Sequence, residues 1–482
     1  MFRIRSIWPI SVLILCAALA GCGGNNQFGS QPQNTGNSSV VLAMTDTPPS
    51  LVSILSGQVT LTGATLTPGN VSLFSGSTTV ELTRLQTDIA YIATAANIPA
   101  GNYTGLTLTF ANPSLTIEND TGNKIGTCAA ASICTMAPTT TANLSTTVSL
   151  TSFSIAANSA TGLLIDVDLN SLLNASLGAD FSAGTTVTSF APGGTGAPPV
   201  GAEDVVGQVA NLNVSSGTFT LTNAEASYSL KVNNGSTFFQ FPASASCTTP
   251  GIACLQNGQI VSVDIGIQSD GSILARNILF EDSDSSDAEV EGEITSTDAA
   301  SQQFSIVLLT ISSSGTGLSI GGQATVQYST SPQTPFDIDF LHVDNFQEST
   351  SSFSAFFTGP ADLVAGQEVS VRRGSSSSNT TIIADRVRLR SSRITATVQS
   401  VGSSIITIGK NSSLPSLFFG HGGVTLIQAQ TSVAPPTIYY EIGGTINAST
   451  NITGAPVSVR GPLFNTGSTN RTLVATKVVL NQ

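Results

Sequence analysis

From Ser39 onward the chain consists of short runs in which apolar and hydroxyl-bearing residues alternate. Gln58-Val59-Thr60-Leu61-Thr62 is one such run, and residues 71–74, 79–82, 106–110 and 163–169 repeat the pattern. A period of two puts one side of each run on a core and the other in water, and Gly, Pro and Asn between runs supply the turns. Val40-Val41-Leu42-Ala43-Met44 leads into Thr45-Asp46-Thr47-Pro48-Pro49, a strand closed by a turn. Residues 88–96 are the one helical candidate. The pattern predicts an all-β chain: an N-terminal β-sandwich (Ig/transthyretin-like) over residues 39–185, then three small β-barrel repeats.

The repeats are visible as three motifs recurring in the same order. Each copy opens on a short strand, at residues 205–209, 290–294 and 394–398. Each later carries a Gly-x-x-Val-Ser-Val-like strand, beginning at Gly258, Gly366 and Gly454, and closes on an Ala-centred strand around Ala275, Ala384 and Ala475. The copies occupy residues 204–283, 288–391 and 393–482, with diverged middles. A Pro/Gly-rich linker at 186–203 precedes them. The acidic stretch at 281–293 (EDSDSSDAEVEGE) reads as a solvated hinge between the first two.

The first 21 residues form a signal peptide: basic Arg3 and Arg5, then an apolar run over residues 7–20 of signal rather than membrane-spanning length. The run ends in Leu19-Ala20-Gly21-Cys22, which resembles the bacterial lipobox. That resemblance implies lipidation (palmitate) of Cys22 and a mature chain beginning there. Residues 22–38, rich in Gly, Asn, Gln and Ser, form a tether. The absence of Asp after Cys22 favours the outer membrane, facing either the periplasm or the surface.

Two family resemblances sharpen this picture. The ordered motifs "MTDTPP", "GQVTLTGATLTP", "VELTRLQ" and "IPAGNYTGLTLTF" resemble a bacterial lipoprotein family catalogued as domain of unknown function 4382, over about residues 40–185. The resemblance implies an exported β-rich domain without assigned chemistry. Tyr103, after its Pro-Ala-Gly-Asn turn, fits a tyrosine corner. The later repeats resemble domain of unknown function 5666, whose short barrels are similar to OB-folds; the resemblance implies three small OB-like β-barrel repeats.

Composition limits the chemistry. Only 9% of residues are charged, and the net charge is −13 from 29 acidic and 16 basic residues. Loss of Arg3 and Arg5 with the leader leaves 14 basic residues against 29 acidic, a net −15. Such a chain repels a phosphate backbone, which argues against a nucleic-acid partner. The remaining partners are the membrane, through the N-terminal lipid, and an envelope polysaccharide or protein.

Four cysteines remain in two close pairs, Cys128 with Cys134 and Cys247 with Cys254. In an exported chain they read as disulfide staples, since neither pair has a histidine beside it to complete a zinc site. Asp166 with Asp168, and Asp337 with Asp339, project in pairs from single strand faces and are weak calcium candidates, with solvent-facing carboxylates as the alternative. Gly317-Leu318-Ser319-Ile320-Gly321 matches a hydrolase elbow, but another strand follows it rather than a helix. His342 and His421 are the only histidines. The sequence thus predicts a non-catalytic structural or binding role with no cofactor; carbohydrate or calcium binding and a Ser319 hydrolase are the alternatives.

Overall fold

A computed structural model describes residues 38–47, 53–119, 121–140, 144–193, 201–241, 247, 249–283, 288–313, 316–338, 357–410, 426–430, 438–441, 452–466 and 471–480. Nearly all of it is β-structure. Nine strands form the N-terminal domain: β1 (Ser38–Thr47), β2 (Ser53–Thr67), β3 (Val71–Glu81), β4 (Ala90–Ile98), β5 (Gly101–Asn119), β6 (Ser132–Met136), β7 (Ser145–Ile155), β8 (Ala160–Asp168) and β9 (Thr185–Phe190). One sheet runs β4-β1-β8-β9. The other runs β3-β2-β5-β6, with β7 also on β5. Tyr103 is buried and its hydroxyl donates to Pro99 O at 2.8 Å, which fixes the entry to β5.

The helical expectation for residues 88–96 is corrected: this segment is mostly β4, paired antiparallel with β1 from Ala90 to Ile98. Ladder bonds to β1 and burial of Ile92 outweigh the helix propensity of its alanines.

The first sheet is also more deeply buried than alternation predicts. Val40, Leu42 and Met44 point into the sandwich, while Val41 and Ala43 share a second apolar cluster with Leu164, Val263 and Ile265. Val263 and Ile265 belong to the first barrel. A sheet covered on both faces needs a continuous apolar run, and Val40 to Met44 supplies it.

Each barrel is built to one plan. The first contains β10 (Gly201–Asn213), β11 (Thr218–Thr222), β12 (Ser227–Lys231), β13 (Phe238–Gln240), β14 (Ile260–Ile267) and β15 (Ile273–Asp282). The second contains β16 (Glu289–Asp298), β17 (Gln303–Ile311), β18 (Gln323–Gln327), β19 (Phe336–Ile338), β20 (Glu368–Arg373) and β21 (Thr381–Leu389). The third contains β22 (Ser391–Val401), β23 (Ile405–Gly409), β24 (Leu426–Gln430), β25 (Ile438–Glu441), β26 (Pro456–Asn465), β27 (Arg471–Val474) and β28 (Lys477–Leu480).

In the first barrel the ring closes as β10-β11-β12-β15-β14-β10, with β12 and β15 parallel. The second repeats this as β16-β17-β18-β21-β20. The third does so as β22-β23-β24-β27-β26, its last strand divided into β27 and β28. The three recurring sequence motifs are therefore the first, fourth and fifth ring strands, which lie side by side.

Gly258, Gly366 and Gly454 occupy the same position in the three rings, with φ of +96°, +87° and +84°. Each donates its N–H to the first strand, at Val209, Ile294 and Val398 respectively, at 2.8 Å. Side chains rarely adopt this backbone conformation, which explains why the glycine recurs where the neighbouring sequence diverges. The second and third barrels also share apolar contents, because Phe464 and Val474 pack into the core of the second.

Candidate functional site

The segment from Glu81 to Asp88, within and just after the "VELTRLQ" motif, joins the sandwich to all three barrels. It begins with a short 3-10 turn, Leu82–Gln86, capped by Glu81. The buried Glu81 carboxylate accepts from Ser56 Oγ at 2.5 Å, Gly57 N at 2.8 Å and Thr83 Oγ at 2.8 Å. Burial raises its carboxyl above the ordinary value although these donors oppose it.

Anchored in this way, the turn projects polar side chains outward. Arg84 donates to Glu291 of the second barrel at 3.0 Å and to the Asp204 carbonyl of the first at 3.0 Å. Gln86 accepts from Thr395 of the third at 2.9 Å. Asp88 accepts from Arg393 at 3.0 Å and Lys477 at 2.9 Å, with Arg460 also beside it at 3.5 Å. Burial works against the Asp88 charge, but Arg460, Lys477 and Arg393 together hold its carboxyl far below the usual range. Arg460 and Lys477 also pair with Glu203, and Arg460 with Asp204, at the start of the first barrel.

A second group of ion pairs extends from there. Glu281 accepts from Arg386 at 2.6 Å, Arg388 at 2.8 Å and Arg390 at 3.1 Å. Arg390 also pairs with Glu291 at 2.9 Å, which connects this group to Arg84. Arg386 lies 3.3 Å from Glu289, and Arg372 pairs with Asp282. Side chains along β21 alternate, so Arg386 and Arg388 emerge together while Val387 and Leu389 fill the barrel. Eight of the sixteen basic residues in the chain are engaged here.

The expectation of a solvated acidic hinge at 281–293 is thereby corrected at its described residues; 284–287 lie outside them. Glu281, Asp282, Glu289 and Glu291 are all buried, with at most 4% exposure. Arginines of β20, of β21 and its end, and of the sandwich neutralise them, and such partners cannot be seen in the local sequence.

Beside this network a cleft opens between the sandwich and the first two barrels, lined by Glu81, Arg84, Glu203, Glu225, Tyr228 and Thr310 among others. Glu225 accepts a hydrogen bond from Thr310 across the seam between barrels. Burial raises its carboxyl to about 7, against the pull of Arg84 and Thr310. Burial and the adjacent Glu225 also raise the Tyr228 phenol.

The remaining sequence candidates are dispersed. Cys128–Cys134 and Cys247–Cys254 are disulfides, with S–S distances of 2.05 and 1.99 Å. Asp168 caps the short helix Leu169–Leu172 by accepting from Asn170 N at 2.9 Å. Asp166 lies on β8 opposite Thr45. Asp337 is paired with Arg388 at 2.8 Å while 41% of its side chain stays exposed. Among the described residues no three His, Cys, Asp or Glu side chains converge as a metal-holding group.

Ser319 is exposed in a turn that leads into strand β18, and the next glycine, Gly321, packs on the sandwich, its carbonyl accepting from Thr116 Oγ at 2.6 Å. Cys22, Asp339, His342 and His421 lie outside the described residues. No helix among the described residues is long and apolar enough to cross a membrane.

Residues 37–181 match the model of a family described as a domain of unknown function, DUF4382. The match spans β1 to just before β9, so it contains the whole Glu81–Asp88 connection. No curated protein matches the chain.

Neither pattern nor motif assigns a role to Arg84, Asp88 or the arginines of β21, and Glu281 reads only as part of an acidic run. A signal was nevertheless present. Arg386, Arg388 and Arg390 stand at a period of two in a chain with only 9% charged residues. Clustered like charges on one strand face require partners.

Proposed function

We propose that this chain is a lipid-anchored protein of the bacterial envelope, held through Cys22 at the outer membrane, with a non-catalytic structural or binding role. The leader ending in Leu19-Ala20-Gly21-Cys22 supports the address. The observation that carries the role is the buried ion network: it ties a sandwich and three barrels into one body, as a scaffold presenting fixed surfaces requires. A partner-binding body gains affinity from such preorganisation because less freedom is lost on docking. The barrels are read as members of the family catalogued as domain of unknown function 5666; their common ring order supports this.

A second reading, capture of an envelope carbohydrate, is favoured by the cleft, where Tyr228 and Glu225 belong to one hairpin of the first barrel. A ring beside a carboxyl is a combination that stacks and hydrogen-bonds sugars.

Three measurements test the proposal. Cys22→Ser should move the protein from the membrane fraction to the soluble fraction and abolish incorporation of a palmitate analogue; an unchanged membrane fraction overturns the anchor. The compact part of the chain, residues 39–482, should retain a defined set of envelope proteins or glycans in a pull-down. Turnover of an ester or glycoside panel, lost in Ser319→Ala, would overturn the non-catalytic role.

A further inference from the structure

The seam between the sandwich and the second barrel contains an arrangement that the ion network does not neutralise. Glu293 on β16 stands directly opposite Glu368 on β20 in antiparallel register. Directly opposed side chains share a sheet face, and like charges in that position repel. From the sandwich, Glu118 on β5 adds a third carboxyl that acts on Glu293. On the other flank Glu293 is opposite Val307 of β17, and Val307 packs with Leu55 and Ile133 of the sandwich. The seam closes around these contacts through Thr116 and Thr135, which both donate to Gly321 O, at 2.6 and 3.2 Å.

Arg393 is the cation that answers Glu368 in this arrangement, and its charge is shared. It donates to Glu368 at 2.6 Å and to Asp88 at 3.0 Å. Among the described residues, Glu293 thus faces two further carboxyls and an apolar cluster, with an arginine that answers Glu368.

We infer that this seam is a proton-operated clasp, closed when Glu293 is protonated and loosened when it ionises. Burial first, then Glu368 and Glu118, raise the Glu293 carboxyl to about 8 from an ordinary 4.5. Opening the seam hydrates the group and returns it toward the ordinary value, so opening releases a proton between those limits. By linkage the opening constant then rises with pH, at up to about tenfold per unit, and levels off above about 8. A protein in the envelope of a bacterium experiences the pH of its surroundings, so the clasp would couple module docking to that pH.

Hydrogen exchange on the full chain at pH 6.5 and 8.5 tests this inference. Peptides covering residues 114–119, 132–136 and 289–298 report the seam, and residues 405–409 of the third barrel serve as the internal reference. In the wild type the seam should gain about tenfold or more in exchange over the reference between the two pH values. Glu293→Gln at matched pH should remove that gain while leaving the reference unchanged. Equal acceleration of seam and reference in the wild type overturns the clasp, as does a gain that persists in Glu293→Gln. The wild-type comparison decides the matter even if the variant fails to fold, and no outcome depends on lipidation or on a bound partner.

Discussion

Asp88 of the sandwich and Arg393 of the third barrel, 305 residues apart in sequence, meet at 3.0 Å in the interior of the protein. Both side chains are 5% exposed or less. Buried ion pairs add little net stability over apolar packing, but removing one partner leaves the other charged and unsolvated. Asp88→Ala leaves Arg393, Arg460 and Lys477 without their shared carboxylate, and should cost about 3–5 kcal/mol. Calorimetry checks this through a lower melting temperature of the whole body. A change within error would show that the contact does not hold the modules together.

The same carboxylate predicts an acid limit. Its folded-state value lies below the unfolded one, so its contribution is complete above the ordinary carboxylate range and is lost as pH falls through that range and below. Melting temperature should therefore fall below about pH 4 in the wild type. Asp88→Asn should reduce that fall.

Glu225 acts in the opposite direction. Its folded-state value, raised to about 7, means that the folded protein holds an extra proton between the ordinary 4.5 and 7. Stability referable to this group is complete below 4.5 and declines as pH rises through 7. Glu225→Gln should make the decline between pH 5 and 7.5 shallower, leaving the part due to Glu293, as seen in chemical denaturation at each pH, without affecting acid sensitivity. A parallel slope in variant and wild type would refute it.

Gly366 should resist substitution for reasons of backbone geometry. At φ +87° an alanine is strained, with a cost of about 1–2 kcal/mol. Gly258 and Gly454 share the position, so the three single alanine variants should lower stability by similar amounts in denaturant titrations. A neutral Gly366→Ala would separate the second barrel from the common plan.

Chelation should have no effect on melting. Asp168 is occupied as a helix cap and Asp337 by Arg388. A melting temperature lowered by EDTA and restored by calcium would contradict this and revive the carboxylate pairs as ligands.

Strands, turns and the repeat plan were legible in the sequence because they depend on local and periodic features. Alternation sets the face of a strand, Gly and Pro set its ends, and the glycine at Gly258, Gly366 and Gly454 marks a backbone conformation that few other residues adopt. Cysteines six or seven positions apart pair because a short chain brings them together. The misread segments were those whose surroundings come from distant parts of the chain. Residues 88–96 have helical composition, but β1 offered them a ladder. The acidic run at 281–293 has the composition of a solvated hinge, but arginines from other strands and modules pair with its Glu281, Asp282, Glu289 and Glu291. Only the tertiary structure could decide that the few charges of this chain would be collected inside it, because a buried charge is stable only beside its counter-charge, and those partners lie up to several hundred residues away.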